Sequence, residues 1–521
     1  MLSAARLRGR VTPIRISGPH RYSLYFTRQL ATHDQNLAIP ETVPVPYSRS
    51  PPPPFLPVPQ TYARPLERDL FWRKIPQWSN LAARDFMSWD WNRKNVVEKE
   101  KNLHEFLDNV LPDVVPRAKH LGGVQCRDEF VTDVHGGMKK ASMSVRVMPY
   151  VLSRINWQDP ANDPLFKQYI PLKSLMIDDH PMLHHDSLAE RRDSPVSKLV
   201  HRYPDKALFL VTSVCPTLCV FCTRAYGVGA HTDAVVKDFT NANRAEMETA
   251  LAYIQNHEEI HDVAISGGDT FYLAPHILEE LGDRLLAMDN IDRVRFASKG
   301  LAVAPQRFIE ERDAWTEALA RLSNKARRIG KQVALHTHFN HPNEISWLTE
   351  QASLKLIQQG ITVRNQTVLL RGINDDIDTM SDLIRKLCKM AIQPYYIYQC
   401  DMVPTIEHLR TPLSTILDLE AQLQGITAGF LIPKCIVDLP GGGGKRPGSL
   451  HESYDRETGI STFTQPALKG NGRENKVYKY YDPVDTLDPK IRDSLVSSLR
   501  EEVRRSQALK EERERESKQV I

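Results

Sequence analysis

The chain has no apolar run of transmembrane length, which excludes a span of that kind. Its net charge is only +4 over 521 residues, too small an excess to argue for nucleic acid as a partner. No internal repeat is visible beyond an alternation of strand-like and helix-like segments. Cysteine is scarce: there are seven, of which Cys126, Cys388, Cys400 and Cys435 stand singly and none follows Cys435. A structural zinc site wants four ligands and usually pairs two Cys-x2-Cys hooks, and no second hook is present. Acidic residues are missing from the first 33 positions, which hold six arginines.

The other three cysteines form one motif, Cys215-Pro-Thr-Leu-Cys219-Val-Phe-Cys222. A [4Fe–4S] cluster used only for electron transfer takes four thiolates. Three thiolates hold three irons and leave the fourth open to a small molecule. The motif follows Leu208-Phe-Leu-Val-Thr212, an apolar and partly β-branched run that reads as a buried strand, so the thiols fall on the loop after it. Phe221 could stack on an adenine. The competing reading is a zinc hook completed by distant side chains, or three buried thiols. One βα unit further on, Val263-Ala-Ile-Ser-Gly267-Gly268-Asp269 is a short apolar strand ending in two glycines and an acid, a pattern that also occurs as a simple turn.

A second feature lies far along the chain, Asp438-Leu-Pro-Gly441-Gly442-Gly443-Gly444-Lys445. A phosphate-binding P-loop would need glycine at Leu439 and Ser or Thr at Arg446, so that reading fails on spacing. A lysine carried on bare backbone lets a flat cofactor approach closely, and lysine is the residue that forms a Schiff base with pyridoxal phosphate (PLP). In isolation the same run reads as a surface turn with a solvated lysine.

The cysteine spacing resembles the radical S-adenosylmethionine (SAM) superfamily. Together with the glycine-flanked lysine it resembles one family there, the PLP-dependent lysine 2,3-aminomutases. The match also rests on Tyr395-Tyr-Ile-Tyr-Gln-Cys-Asp401, His408-Leu-Arg-Thr-Pro412, His201-Arg-Tyr-Pro-Asp205, His336-Thr-His-Phe-Asn-His-Pro-Asn-Glu344 and Asn365-Gln-Thr-Val-Leu-Leu-Arg-Gly-Ile-Asn374, and runs from about Trp78 to Pro466. The resemblance implies a [4Fe–4S] cluster on Cys215, Cys219 and Cys222, and PLP on Lys445. It places Arg202 and Tyr203 at the PLP phosphate with Lys206 nearby. Phe221, Gly267, Gly268, Asp269, His338 and Gln366 line the SAM side, and Tyr398 faces PLP and substrate. Arg224 clamps the substrate carboxylate through both arms of its fork, and Asp401 and Asp438 take a distal ammonium. A guanidinium at one end and two acids at the other suit a cationic amino acid. The implied reaction moves the α-amino group of L-lysine to C3, giving β-lysine (3,6-diaminohexanoate). Another cationic amino acid, or a non-catalytic iron–sulfur protein on the same fold, are the alternatives.

Several residues depart from the family pattern. Arg224-Ala225-Tyr226 replaces a row of arginines. Lys206 stands for an arginine and Asn92 for a glutamine. The family's zinc-binding cysteines are absent, with Asp376 where one partner would lie. That last departure leaves a homo-oligomer open rather than implied.

Strand patterns at 208–213, 263–266, 293–297, 333–339, 363–370 and 395–400 alternate with helical ones that include 243–256, 275–287 and 307–328. Six βα units imply a parallel sheet curling into a partial (β/α)6 barrel, with sites at the carboxyl ends of its strands. The resemblance makes this an α/β fold of radical SAM type, with an N-terminal helical region and a C-terminal extension. The expected organisation is a mitochondrial transit peptide over 1–33, a proline-rich linker over 34–66, and a helical region over 67–200 anchored by Trp78, Trp89 and Trp91. The barrel covers 201–430, the PLP-lysine segment 431–485 and a charged helical tail 486–521. The expected location is the mitochondrial matrix, where reducing conditions suit unpaired thiols. The partners are a small amino acid substrate and an electron donor for the cluster, with no nucleic acid and no membrane.

Overall fold

The computed structural model describes residues 69–238, 240–468 and 473–519, all within the unit Arg64–Ile521. The expected transit peptide and proline-rich linker lie outside the described residues. Strands β1 (Val114–Pro116) and β2 (Val124–Cys126) form a small antiparallel pair in the N-terminal region. The centre of the fold is a nine-stranded sheet. Its strands are β3 (Leu199–Tyr203), β4 (Lys206–Thr212), β5 (Asp262–Gly267), β6 (Arg293–Ala297), β7 (Gln332–Thr337), β8 (Thr362–Leu369), β9 (Gln393–Gln399), β10 (Lys434–Leu439) and β11 (Gly444–Pro447), and they neighbour one another in that order. Every pairing from β4 to β10 is parallel. The two outer pairings, β3 with β4 and β10 with β11, are antiparallel.

The six strands expected from the pattern are β4 to β9, and each is followed by a helix, as a right-handed parallel crossover demands. Those helices are Arg244–Gln255, Pro275–Leu286, Trp315–Arg328, Trp347–Gln358, Ile377–Lys389 and Leu413–Leu423. The arrangement is the expected partial barrel: its outermost strands β3 and β11 are not paired with each other. β8 shows how the barrel sorts its residues. Val363, Asn365, Thr367 and Leu369 are buried, whereas Arg364, Gln366 and Val368 alternate with them and line the interior.

Three details differ from the pattern reading. The helix expected over 307–328 begins at Trp315, because Asp313 accepts a hydrogen bond from the Trp315 amide at 2.9 Å and pairs with Arg307 Nε at 2.9 Å, ending a separate short helix, Gln306–Ile309. The Lys445 segment is a β-hairpin that extends the sheet by a seventh parallel strand and its antiparallel partner. The charged tail forms a helix, Pro489–Gln519, whose first turns pack on the core through Leu495 and the buried Leu499.

Strands β12 (Ser453–Asp455), β13 (Ile460–Thr464) and β14 (Val477–Tyr481) form a third, antiparallel sheet. A fully buried ion pair ties this C-terminal part to the barrel: Arg410 Nη1 lies 2.6 Å from Glu407 Oε2, and Arg410 Nη2 donates to the Tyr481 carbonyl. The N-terminal region packs through its aromatics as expected. Trp78 meets Trp91 edge-on with centroids 5.7 Å apart, and Trp89 meets Phe271 at 5.1 Å. Asn92 is buried there, donating to the carbonyls of Phe86 and Ser88 at 2.6 and 2.9 Å. Asp376 caps the helix Ile377–Lys389 by accepting from the Thr379 amide at 2.8 Å.

Candidate active site

The barrel encloses a cavity of about 730 Å³. Thr223 and Arg224, which directly follow the third cysteine, line it together with Tyr398, Asp401, Asp438 and Lys445. The two residues after the cysteine motif and the glycine-flanked lysine, more than two hundred positions apart in sequence, thus line one chamber, whereas Cys215, Cys219 and Cys222 are not among its lining residues.

Cys215, Cys219 and Cys222 are free thiols on the loop after β4. Burial pushes Cys219 up to about 12, and also raises Cys215 and Cys222. Buried thiols of this kind stay protonated and inert unless a cation takes the place of the proton. Among the described residues no group of three His, Cys, Asp or Glu side chains is spaced to hold a single metal ion, so a zinc hook finds no further ligands. The donor set instead suits a cluster spread over three thiolates.

Gly267 and Gly268 press β5 against the start of this loop. A Cβ on Gly267, whose φ is +120°, would lie 2.2 Å from the Thr212 carbonyl oxygen, and one on Gly268 would lie 2.5 Å from that of Val214. Only bare backbone allows this approach. Asp269 caps the turn beyond, accepting from the amides of Phe271 and Lys299, each at 2.8 Å. Burial raises Asp269 to about 6 despite those bonds. Phe221 and His338 face each other with ring centroids 5.9 Å apart. Burial, and then Lys299, hold His338 neutral, and its Nε2 lies 3.0 Å from Asn340 Oδ1. Gln366 Nε2 lies 3.4 Å from His336 Nδ1.

Across the chamber, Asp438 and Lys445 are paired residues of the β10–β11 hairpin. Lys445 Nζ lies 2.7 Å from Asp438 Oδ2 and 5.5 Å from the centre of the Tyr398 ring. Burial alone would lower the lysine, but Asp438 and Tyr203 outweigh it and raise its pKa. Tyr203 also accepts the Lys445 amide hydrogen at 2.5 Å, and a Cβ on Gly444 would fall 2.3 Å from that hydroxyl. Gly444 has φ +73°, the left-handed region that favours glycine. Asp438 Oδ1 is buried without a hydrogen-bond partner, although Arg202 Nη1 lies 3.9 Å from it.

Asp401, at the end of β9, accepts a hydrogen bond from the Thr223 hydroxyl. Burial and then the charge of Asp438 raise it to about 7. Two expected contacts are engaged otherwise. Both arms of the Arg224 fork grip Glu190, with Nε at 2.8 Å and Nη2 at 2.6 Å from its oxygens. Tyr226 supports the same carboxylate at 2.9 Å. Lys206 Nζ pairs with Asp205 at 3.1 Å and sits 4.3 Å above the Tyr203 ring. Glu190 comes from a long segment before β3 with little regular structure, and no local pattern announced it. Thr223, Arg295, His336 and Arg364 also line the cavity unannounced, although period two along β8 from Gln366 points Arg364 inward.

A partial parallel barrel, a three-thiol loop at a strand end and a lysine in the same chamber define a radical SAM isomerase. The chain is 35% identical over 369 residues to the L-lysine 2,3-aminomutase of Acetoanaerobium sticklandii, covering 71% of this chain and 80% of that one. It is 33% identical over 404 residues to that of Clostridium subterminale, covering 76% and 88%. These relationships show that the chain belongs to the lysine 2,3-aminomutase family. A glutamate 2,3-aminomutase of Clostridioides difficile is 31% identical over 354 residues, covering 68% of this chain and 78% of that one. No protein-family model matches the chain. Among solved structures, a radical SAM methyltransferase from Sphaerobacter thermophilus aligns at a TM-score of 0.31 and 16% identity over 46% of this chain and 68% of that one, too distant to carry an argument.

Proposed function

We propose that this enzyme moves the α-amino group of L-lysine to C3, and that the residues described above carry the reaction. Cys215, Cys219 and Cys222 would hold a [4Fe–4S] cluster whose open iron takes SAM, and Lys445 would hold PLP. When bound, the reduced cluster and SAM supply a hydrogen-abstracting carbon radical, and PLP supplies the π-system across which nitrogen migrates. The protein positions and protects. Fixing reactants in one geometry is worth up to about 7–11 kcal/mol of barrier. Enclosing them keeps water and stray hydrogen donors away.

The substrate reading rests on one observation: Asp401 and Asp438 enter the same cavity as Arg224. A cationic side chain would bring a positive charge to Asp401, which has no ion pair among the described residues, and a donor to Asp438 Oδ1, which accepts no hydrogen bond. A glutamate side chain would add a third carboxylate beside them, at a large desolvation and repulsion cost. Glu190 holds Arg224 in a fixed orientation; a substrate carboxylate would share the guanidinium or displace Glu190. The experiment is anaerobic reconstitution with iron, sulfide and PLP, then SAM, dithionite and either L-lysine or L-glutamate. Conversion of L-lysine to its 3-amino isomer, lost in Lys445→Ala, supports the reading. Turnover of glutamate alone, or full activity of Lys445→Ala, would refute it.

An external one-electron donor must reduce the cluster, because nothing in the reaction itself supplies the electron. We also assign the first 33 residues as a mitochondrial targeting segment, on their six arginines and lack of acids. Imaging of fusions with and without residues 1–33 tests this; identical distributions would refute it. No described helix is long and apolar enough to cross a membrane.

A further inference from the structure

The residues expected at the PLP phosphate are short of free donors. Arg202 Nε binds Asp193 at 2.7 Å, Nη2 binds the Leu188 carbonyl at 2.5 Å, and Nη1 lies 3.9 Å from Asp438. Lys206 is paired with Asp205 and stands where the family pattern has an arginine. Tyr203 already accepts from the Lys445 backbone. A phosphate monoester dianion desolvated in this cavity needs more than one free hydroxyl.

The opposite wall of the same cavity has the reverse imbalance. Arg293 and Arg295 share Asp262, at 3.2 and 2.6 Å, and Arg293 lies 3.8 Å from the exposed Asp292 as well. Arg364 has no ion pair among the described residues; its one polar partner is the Gln393 side-chain oxygen, 3.3 Å from Nε. Both of its terminal nitrogens are therefore uncommitted. His336 is its direct neighbour in the β7–β8 register. His336 is only 5% exposed, and its Nε2 is buried without a partner. The Gln366 amide donates to Nδ1, which leaves the ring hydrogen on Nε2 as a donor. Arg295 lies two residues before Ala297, which pairs with His336 on the other side. Adjacent inward positions on β7 and β8 thus present imidazole and guanidinium donors that no acceptor occupies, while on β6 Arg295 commits Nε and Nη2 to Asp262.

We propose that Arg364 and His336, with the charge of Arg295 beside them, form an anion site on the barrel wall that takes the phosphate of PLP. The proposal rests on the assignment of Lys445 as the PLP-bearing residue. A planar fork with two free nitrogens matches a phosphate bidentately, which Lys206 cannot do. The family departure at Lys206 then has a local compensation.

The test is binding, measured without iron, SAM or turnover. Protein is titrated with PLP and followed by the visible absorbance of the lysine-linked cofactor; inorganic phosphate is titrated separately by calorimetry. Arg364→Gln removes no ion pair and is expected to raise both dissociation constants by about 10- to 100-fold, the loss of charge-assisted hydrogen bonds. Arg364→Lys keeps the cation and is expected to recover part of the affinity, a rescue that a packing role would not give. Wild-type affinities for PLP and phosphate in Arg364→Gln would overturn the proposal. So would unchanged PLP affinity with a raised KM for lysine, which would make Arg364 a substrate-carboxylate ligand. If the wild-type protein forms no visible band, the Lys445 assignment fails instead. Phosphate calorimetry on wild type and Arg364→Gln then decides the anion site alone.

Discussion

Asp438 and Lys445 stand directly opposite each other in the β10–β11 hairpin, and their side chains close the gap to 2.7 Å. The acid holds the lysine as an ammonium against the pull of burial, which favours the neutral amine. On the proposed function, this one residue pair sets both the readiness of the cofactor lysine and the charge that meets the substrate.

Asp438→Asn should separate those two roles. Without the carboxylate, burial dominates and the Lys445 pKa falls, so a larger neutral fraction is present near pH 7. Covalent capture of PLP, timed by absorbance in stopped flow, should become faster. The KM for lysine should rise by tenfold or more, the loss of one charge-assisted contact. Slower capture would show that Asp438 acts on PLP in some other way.

Asp401 predicts a pH dependence. Its carboxyl titrates near 7, raised by burial and by Asp438. Only the ionised form attracts a substrate cation. Binding should therefore be strongest above that value and weaken as pH falls through it, with kcat/KM approaching a tenfold loss per pH unit. Asp401→Asn should lower kcat/KM and flatten that limb. A profile unchanged by the substitution would remove Asp401 from substrate binding.

Gly268→Ala tests the contact between β5 and the cysteine loop. The added methyl would lie 2.5 Å from the Val214 carbonyl oxygen, which must move, and the cysteines move with it. Iron and sulfide bound after reconstitution should drop well below wild type, while PLP capture at Lys445 stays intact. Full cluster content in this variant would show that the loop tolerates the shift.

Glu407→Ala leaves Arg410 buried without its partner. Both side chains are completely buried, so the loss should be about 3–5 kcal/mol, read as a lower urea midpoint. Replacing both residues with apolar ones of similar size should recover most of it. A loss under about 1 kcal/mol would mean that water reaches the guanidinium.

Much of this molecule is legible in its sequence. Strand and helix alternation fixed β4 to β9, because buried parallel strands need apolar runs and their crossovers need amphipathic helices. The cysteine motif and the tetraglycine lysine pointed to the neighbourhood of the cavity, which Lys445 lines and which Thr223 and Arg224 reach just after Cys222. The hairpin form of residues 434–447 was not visible: glycines that permit a loop also permit a tight reversal between strands. Glu190 was hidden for a different reason. Its grip on Arg224 spans 34 positions and comes from a segment with neither periodicity nor motif. Arg364 was within reach, two residues from Gln366 on an alternating strand, but nothing local distinguishes an inward arginine from a solvated one.

Lys445 rides on the outermost strand of a sheet whose two margins share no strand pairing and touch through a side chain, the Tyr203 hydroxyl. Such a margin accepts another strand without disturbing what is already packed inside. New chemistry can thus be appended at the rim, leaving the thiol loop and the helices behind it untouched.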